Sequence, residues 1–89
     1  MIRRELAIHN RLGLHARAAA RFVHTASRFR ARVTAGRGGR VMDGKSILGI
    51  LLLSAAQGST IEVTAEGLDE TEAMEALAAL VESGFGEEA

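Results

Sequence analysis

Three side chains in this 89-residue sequence stand where their types and spacing could do chemistry: His15, Arg17 two residues on, and Ser46 at the end of GRVMDGKS. In GLHARAAARFV, starting at Gly13, the glycine permits a tight backbone approach and His15 falls at the predicted N-cap of a basic helix. The first amides of a helix have no partner within it, and the aligned peptide dipoles make that end positive. Anions are stabilised there, so a phosphoryl group carried on the imidazole has a ready site. Arg17 can add a fork-shaped, charge-assisted contact to phosphate oxygens. Imidazole attacks and leaves readily, which suits a covalent carrier of a phosphoryl group. The bland alternative is a histidine that only caps or packs.

Three neighbouring features favour the chemical role. Arg17, Arg21, His24 and Arg28, at spacings of four, three and four, share one helix stripe, so positive charge gathers beside His15. Ala16 and Ala20 keep the surface near the ring small, which lets a partner approach closely. The helix from Ile47 carries Ile47, Leu48, Ile50, Leu51, Leu52 and Leu53, more apolar residues than one core-facing stripe can use. With Ile50 and Leu53 inward, Ile47, Leu48 and Leu51 are expected on the surface as a docking patch. The competing expectation is that the helix is buried all round.

Ser46 poses a separate question. GRVMDGKS satisfies G-x-x-x-x-G-K-[ST], the phosphate-cradling loop of nucleotide-hydrolysing enzymes. That loop needs a buried parallel strand before it, a substantial helix after it and a later strand ending in Asp for Mg²⁺. Here the first Gly belongs to a hairpin turn, Arg40 to Met42 reads as a strand, and the following helix is about two turns long. TIEVTAE ends in Glu66-Gly67, so the acidic metal ligand is not in place either. ATP binding by this loop is therefore rejected. Ser46 is expected to cap the next helix.

The elements that must position these residues follow from periodicity. Ile2 to His9 reads as a strand, Ala16 to Ser27 as a helix with Ala19, Phe22, Val23 and Ala26 on its core face, and Ala31 to Ala35 as a second strand. Gly36, Gly38 and Gly39 make a hairpin turn into Arg40 to Met42. A helix from Ile47 to Leu53 and an alternating strand from Thr60 to Glu66 come next. Asp69 with Glu72 resembles a capping box opening a last helix, whose core stripe is Met74, Leu77, Leu80 and Val81 and which Gly84 ends. The order is β-α-β-β-α-β-α. A sheet with helices on one face is the simplest way to bury these stripes.

Length and composition set the bounds. Residues 1–89 are expected to form one domain with one modest core. There is no Cys, no apolar leader at the N-terminus and no apolar run near the ~20 residues a membrane span needs, so a cytoplasmic chain without membrane insertion is expected. The first 45 residues hold all eleven Lys and Arg against two acids, a surplus of nine; the remaining 44 hold nine acids and no Lys or Arg. Either a basic face meets an anionic partner, or the fold interleaves the halves and much of the charge cancels. His9, His15 and His24 lack metal-ligand spacing, so no metal and no cofactor are expected. The chain has neither Tyr nor Trp and three Phe, which leaves nucleic acid no stacking platform.

GLHARAAARFV around His15 and GKSILGILLLSAAQGSTIEV around Ser46 closely resemble the HPr phosphocarrier proteins of the bacterial phosphotransferase system, over essentially the whole chain. The resemblance implies an α+β open-faced sandwich, a four-stranded antiparallel sheet with three helices on one side. It implies that enzyme I, charged by phosphoenolpyruvate, passes a phosphoryl group to His15, which gives it to an enzyme II A-type domain. Arg17 would assist, and Ser46 would be the serine that HPr kinase/phosphorylase modifies in many bacteria. Ile47, Leu48 and Leu51, with Ala16, Ala20, Arg21 and His24, would form the docking face of a monomeric carrier, which is not itself an enzyme. Two positions depart from the family pattern: Ala18 stands where Pro is common, and Leu12 where many members have a polar residue. The tail SGFGEEA is similar to both ordinary HPr and its nitrogen-related paralogue, whereas GKS favours the ordinary form. The alternative is an HPr-like regulatory protein without a direct role in sugar transport.

Overall fold

A computed structural model describes residues 1–87. The elements are β1 (Ile2–Ala7), α1 (Ala16–Ser27), β2 (Arg32–Arg37), β3 (Arg40–Asp43), α2 (Ile47–Leu52), β4 (Thr60–Glu66) and α3 (Glu70–Glu82), with a short 3₁₀ turn at Gly84–Gly86. The four strands form one antiparallel sheet in the order β1-β4-β2-β3. Alternation along β4 sends Ile61, Val63 and Ala65 into the core and leaves Thr60, Glu62 and Glu66 exposed. Register then aligns inward residues across the sheet: Leu6 faces Ile61, Val33 faces Ala65, and Ala35 faces Val63. On the helix side α1 contributes Ala18, Ala19, Phe22, Val23 and Ala26, and α3 contributes Ala73, Met74, Leu77, Ala78 and Val81. All three helices pack on that single face, and the other face of the sheet is open.

Several boundaries differ from the sequence reading. β1 ends at Ala7, because Ile8 leaves the ladder to pair with the loop before β4 through Ile8 N–H to Ser59 O (2.8 Å) and Gly58 N–H to Ile8 O (2.9 Å). β2 spans Arg32–Arg37, one residue late at its start and two residues longer at its end. The capping box at Asp69 does not form. The Asp69 carboxylate instead accepts the backbone N–H groups of Arg30 and Ala31, both at 2.8 Å, tying the connection between α1 and β2 to the start of α3. The Glu70 side chain accepts the Gly67 N–H at 3.0 Å, a contact between chain neighbours in the same turn.

Part of the opposite charge meets within the fold. Where β1 meets the acidic half, Arg3 pairs with Glu62 (3.7 Å) and Arg4 with Glu82 (3.4 Å). None of the ion pairs among the described residues uses Arg17, Arg21 or Arg28, and all three are exposed along with His24. Among the described residues no helix is long and apolar enough to cross a membrane.

Candidate functional site

His15 is the N-cap of α1, with extended backbone (φ −78°, ψ 179°), and its Nδ1 accepts the Arg17 backbone N–H at 3.3 Å. The ring is held by what precedes it. Gly13 lies at φ +67°, and a Cβ there would sit 2.5 Å from the Ala55 carbonyl oxygen, so only glycine lets the loop close on the segment after α2. That closure is made by Leu14 N–H to Ala55 O (2.9 Å), which buries Leu14 and points the next residue outward at the start of the helix. His15 itself is 27% exposed, reachable by a partner but not free to wander.

The sequence reading did not single out Asn10 or Glu87, and both are part of the site. Asn10 is 6% exposed, and its Nδ2 donates to Gly13 O (2.8 Å) and to Glu87 Oε1 (2.9 Å). The other oxygen of Glu87 pairs with His15 Nε2. A sharp turn brings Glu87 there: Gly84, Phe85 and Gly86 all have positive φ (69°, 59° and 71°), and the Phe85 side chain is buried in the core. Arg21 Nη1 donates to the Phe85 carbonyl. Partial desolvation pushes the Glu87 carboxyl up, but the hydrogen bonds from Asn10 and His15 and the nearby Arg21 charge outweigh it and hold the group below its ordinary value. Only a polar loop residue and a Gly-Phe-Gly tail signal these contacts in the sequence, and neither says that the chain ends meet.

Ser46 caps α2, its hydroxyl accepting the Gly49 N–H at 3.0 Å. Lys45 of the GKS run donates its Nζ to the Phe29 carbonyl at 2.8 Å, and Arg40–Asp43 is a hairpin strand, so these residues do not form a phosphate cradle. On α2, Ile50 is buried and Ile47 and Leu48 are exposed, Leu48 by 67%. Leu51, expected on the surface, is half-buried against the core, whereas Leu52, left out of the patch, is 46% exposed. Residues four apart share a helix face, so the exposed ridge runs from Leu48 to Leu52 and Leu51 turns partly inward. Ala20 is half-buried and Ala16 exposed, and α1 packs directly against α2. Basic stripe, His15 and apolar ridge therefore adjoin one another. Among the described residues no group of His, Cys, Asp or Glu could hold a metal ion.

Comparison with known proteins adds identity to this geometry. Residues 2–83 match the family model described as the PTS HPr component phosphorylation site. The chain is 47% identical to the phosphocarrier protein HPr of Cupriavidus necator, over 98% of each chain. It is 42% identical to the HPr-like protein Crh of Halalkalibacterium halodurans, over 92% of this chain and 98% of that one. The crystal structure of HPr from Thermoanaerobacter tengcongensis superposes with a TM-score of 0.95 at 45% identity, covering both chains fully. With His15 at the start of the first helix and the open-faced sandwich behind it, the chain belongs to the HPr family of phosphocarrier proteins of the phosphotransferase system.

Proposed function

We propose that this chain accepts a phosphoryl group on His15 Nδ1 from enzyme I, charged by phosphoenolpyruvate, and donates it to enzyme II A-type domains. The observation that supports this reading is the Nδ1 contact to the Arg17 N–H, which aims that nitrogen at the amino end of α1. Nε2 is engaged by Glu87, so the lone pair that can bond phosphorus is on Nδ1, once the Arg17 N–H it accepts shifts to a phosphoryl oxygen. Once phosphorus is bound there, the first amides of α1 face its oxygens and the positive helix end stabilises the added charge. The exposed Arg17 side chain supplies a further cation at the same end. Turnover belongs to the partners, which dock on the α1 stripe and the α2 ridge.

Ser46 is proposed as the site of control by an HPr kinase/phosphorylase. A phosphoserine adds about −1.5 to −2 charge at the start of α2, where the fold tolerates it. The same charge sits beside Ile47 and Leu48 and repels an acidic partner. A second reading, a regulatory HPr-like protein that is modified on Ser46 and passes nothing to sugar uptake, draws on the similarity to Crh. One set of incubations separates them. With enzyme I and phosphoenolpyruvate the carrier forms an acid-labile, base-stable adduct that His15→Ala abolishes and that an enzyme II A-type domain removes. An adduct that survives His15→Ala overturns the assignment, and an adduct that no enzyme II A-type domain accepts favours the regulatory protein.

A further inference from the structure

We propose that Glu87 is a positioning residue for phosphoryl transfer: its carboxylate keeps the His15 proton on Nε2 and balances the charge the ring gains when Nδ1 bonds phosphorus. This rests on the carrier reading above and adds a residue outside the 2–83 span matched by the family model.

The geometry is built, not incidental. The Glu87 side chain is 11% exposed, with one oxygen on His15 Nε2 and the other on Asn10 Nδ2. Asn10 is itself buried and fixed to the Gly13 carbonyl, in the same loop whose closure sets the His15 ring. From the other side the tail is fastened by the buried Phe85 ring and by Arg21, which donates to the Phe85 carbonyl.

The chemistry selects one tautomer. An ionised carboxylate only accepts, so Nε2 must carry the proton; a neutral imidazole then has its lone pair on Nδ1. The Arg17 N–H donating to Nδ1 selects the same tautomer independently. On acceptance the Nδ1 lone pair forms the N–P bond, and the donor's bond to phosphorus breaks with its electron pair staying on the donor. No proton needs to leave, because the ring becomes a cation with its Nε2 proton in place. Glu87 is the adjacent anion that stabilises it, in the way a buried carboxylate supports an imidazolium in hydrolase triads. On donation the P–Nδ1 bond breaks toward the acceptor's nucleophile and the electron pair returns to Nδ1, so the group that leaves is a neutral imidazole. Glu87 holds the side of the ring away from Nδ1, which keeps its negative charge off the phosphoryl oxygens.

The test combines ring-nitrogen NMR of the unphosphorylated chain with the rate of phosphoryl acceptance from enzyme I, for wild type, Glu87→Gln and Glu87→Ala. Wild type shows a protonated Nε2 and an unprotonated Nδ1. Glu87→Gln keeps that pattern through its amide oxygen but accepts more slowly, having lost the charge. Glu87→Ala becomes a mixture of tautomers and is slowest, about 10- to 100-fold below wild type, the loss typical when a carboxylate that orients a metal-bound histidine is removed. Unchanged melting temperatures in both variants separate this from loss of fold. Wild-type tautomer and wild-type rate in Glu87→Ala overturn the proposal while leaving the carrier reading intact. A wild-type chain that takes no phosphoryl group on His15 overturns the carrier reading and the transfer claim with it.

Discussion

At the scale of single residues, Ser46 has one role in the fold and a second proposed at the docking face. Its hydroxyl caps α2, and removing an N-cap oxygen costs about 0.5–2 kcal/mol, so Ser46→Ala is expected to lower unfolding free energy by about 1 kcal/mol in denaturant titrations. Ser46→Asp keeps a good capping oxygen but places a charge beside exposed Ile47 and Leu48. Phosphoryl acceptance from enzyme I should then slow at least about tenfold, equivalent to ~1.4 kcal/mol, with little change in stability. Equal rates for Ser46→Asp and wild type would show that the α2 ridge is not part of the docking face. Gly13→Ala meets a different barrier, a left-handed backbone and a Cβ against the Ala55 carbonyl. It should cost about 1–3 kcal/mol in the same titrations. Such roles were legible in the sequence because they are local: a glycine two residues before His15, a serine before an apolar run, an arginine two residues after the histidine. Glu87 and Asn10 were not, because their significance depends on a contact between residues 72 and 77 positions apart.

At the scale of elements, α1 and the closing turn after α3 together make the site. Phe85 adopts a left-handed backbone that a bulky residue disfavours, and burial of its ring is what holds it there. Phe85→Ala should destabilise the chain by about 3–5 kcal/mol, the range for a buried Phe. It should also free Glu87 from His15, seen as a change in the His15 ring-nitrogen signals; unchanged signals would show that the tail holds without its anchor. Helix and strand positions were readable from periodicity, since Phe22, Val23 and Ala26, or Ile61 and Val63, repeat at the spacing their element demands. Element ends were less so. Asp69 and Glu72 satisfy the letter of a capping box, yet Arg30 and Ala31 compete for the Asp69 carboxylate and win, because they are amides in the connection between α1 and β2 that need an acceptor. The α2 ridge shows the same limit: six residues span under two turns, and a rotation of one position exchanges Leu51 for Leu52 at the surface.

For the whole molecule, the two halves of opposite charge meet where Arg3 and Arg4 of β1 pair with Glu62 and Glu82, while Arg17, Arg21, His24 and Arg28 stay exposed and outside those ion pairs along α1 beside His15. Acid stability follows from the carboxylates that pin the fold. The Arg30 backbone N–H, with that of Ala31, holds Asp69 below its ordinary value despite partial burial, and Glu87 is held low by the balance described above. A carboxyl depressed in the folded state stabilises above the pKa it has when unfolded, and that contribution is lost as pH falls through the folded value. Stability should therefore be level above the ordinary carboxylate range of about 4 and decline below it. Asp69→Asn should flatten that decline in melting curves taken from neutral to acid pH, and an unaltered slope would remove Asp69 from the account. The central claim is narrower than stability: phosphorus bonds to His15 through Nδ1, the nitrogen facing the start of α1. Phosphorus–nitrogen coupling in NMR spectra of the ¹⁵N-labelled chain, charged by enzyme I and phosphoenolpyruvate, tests it most directly. The account predicts coupling to His15 Nδ1 with Nε2 still protonated; coupling to Nε2, or to any residue other than His15, would contradict it.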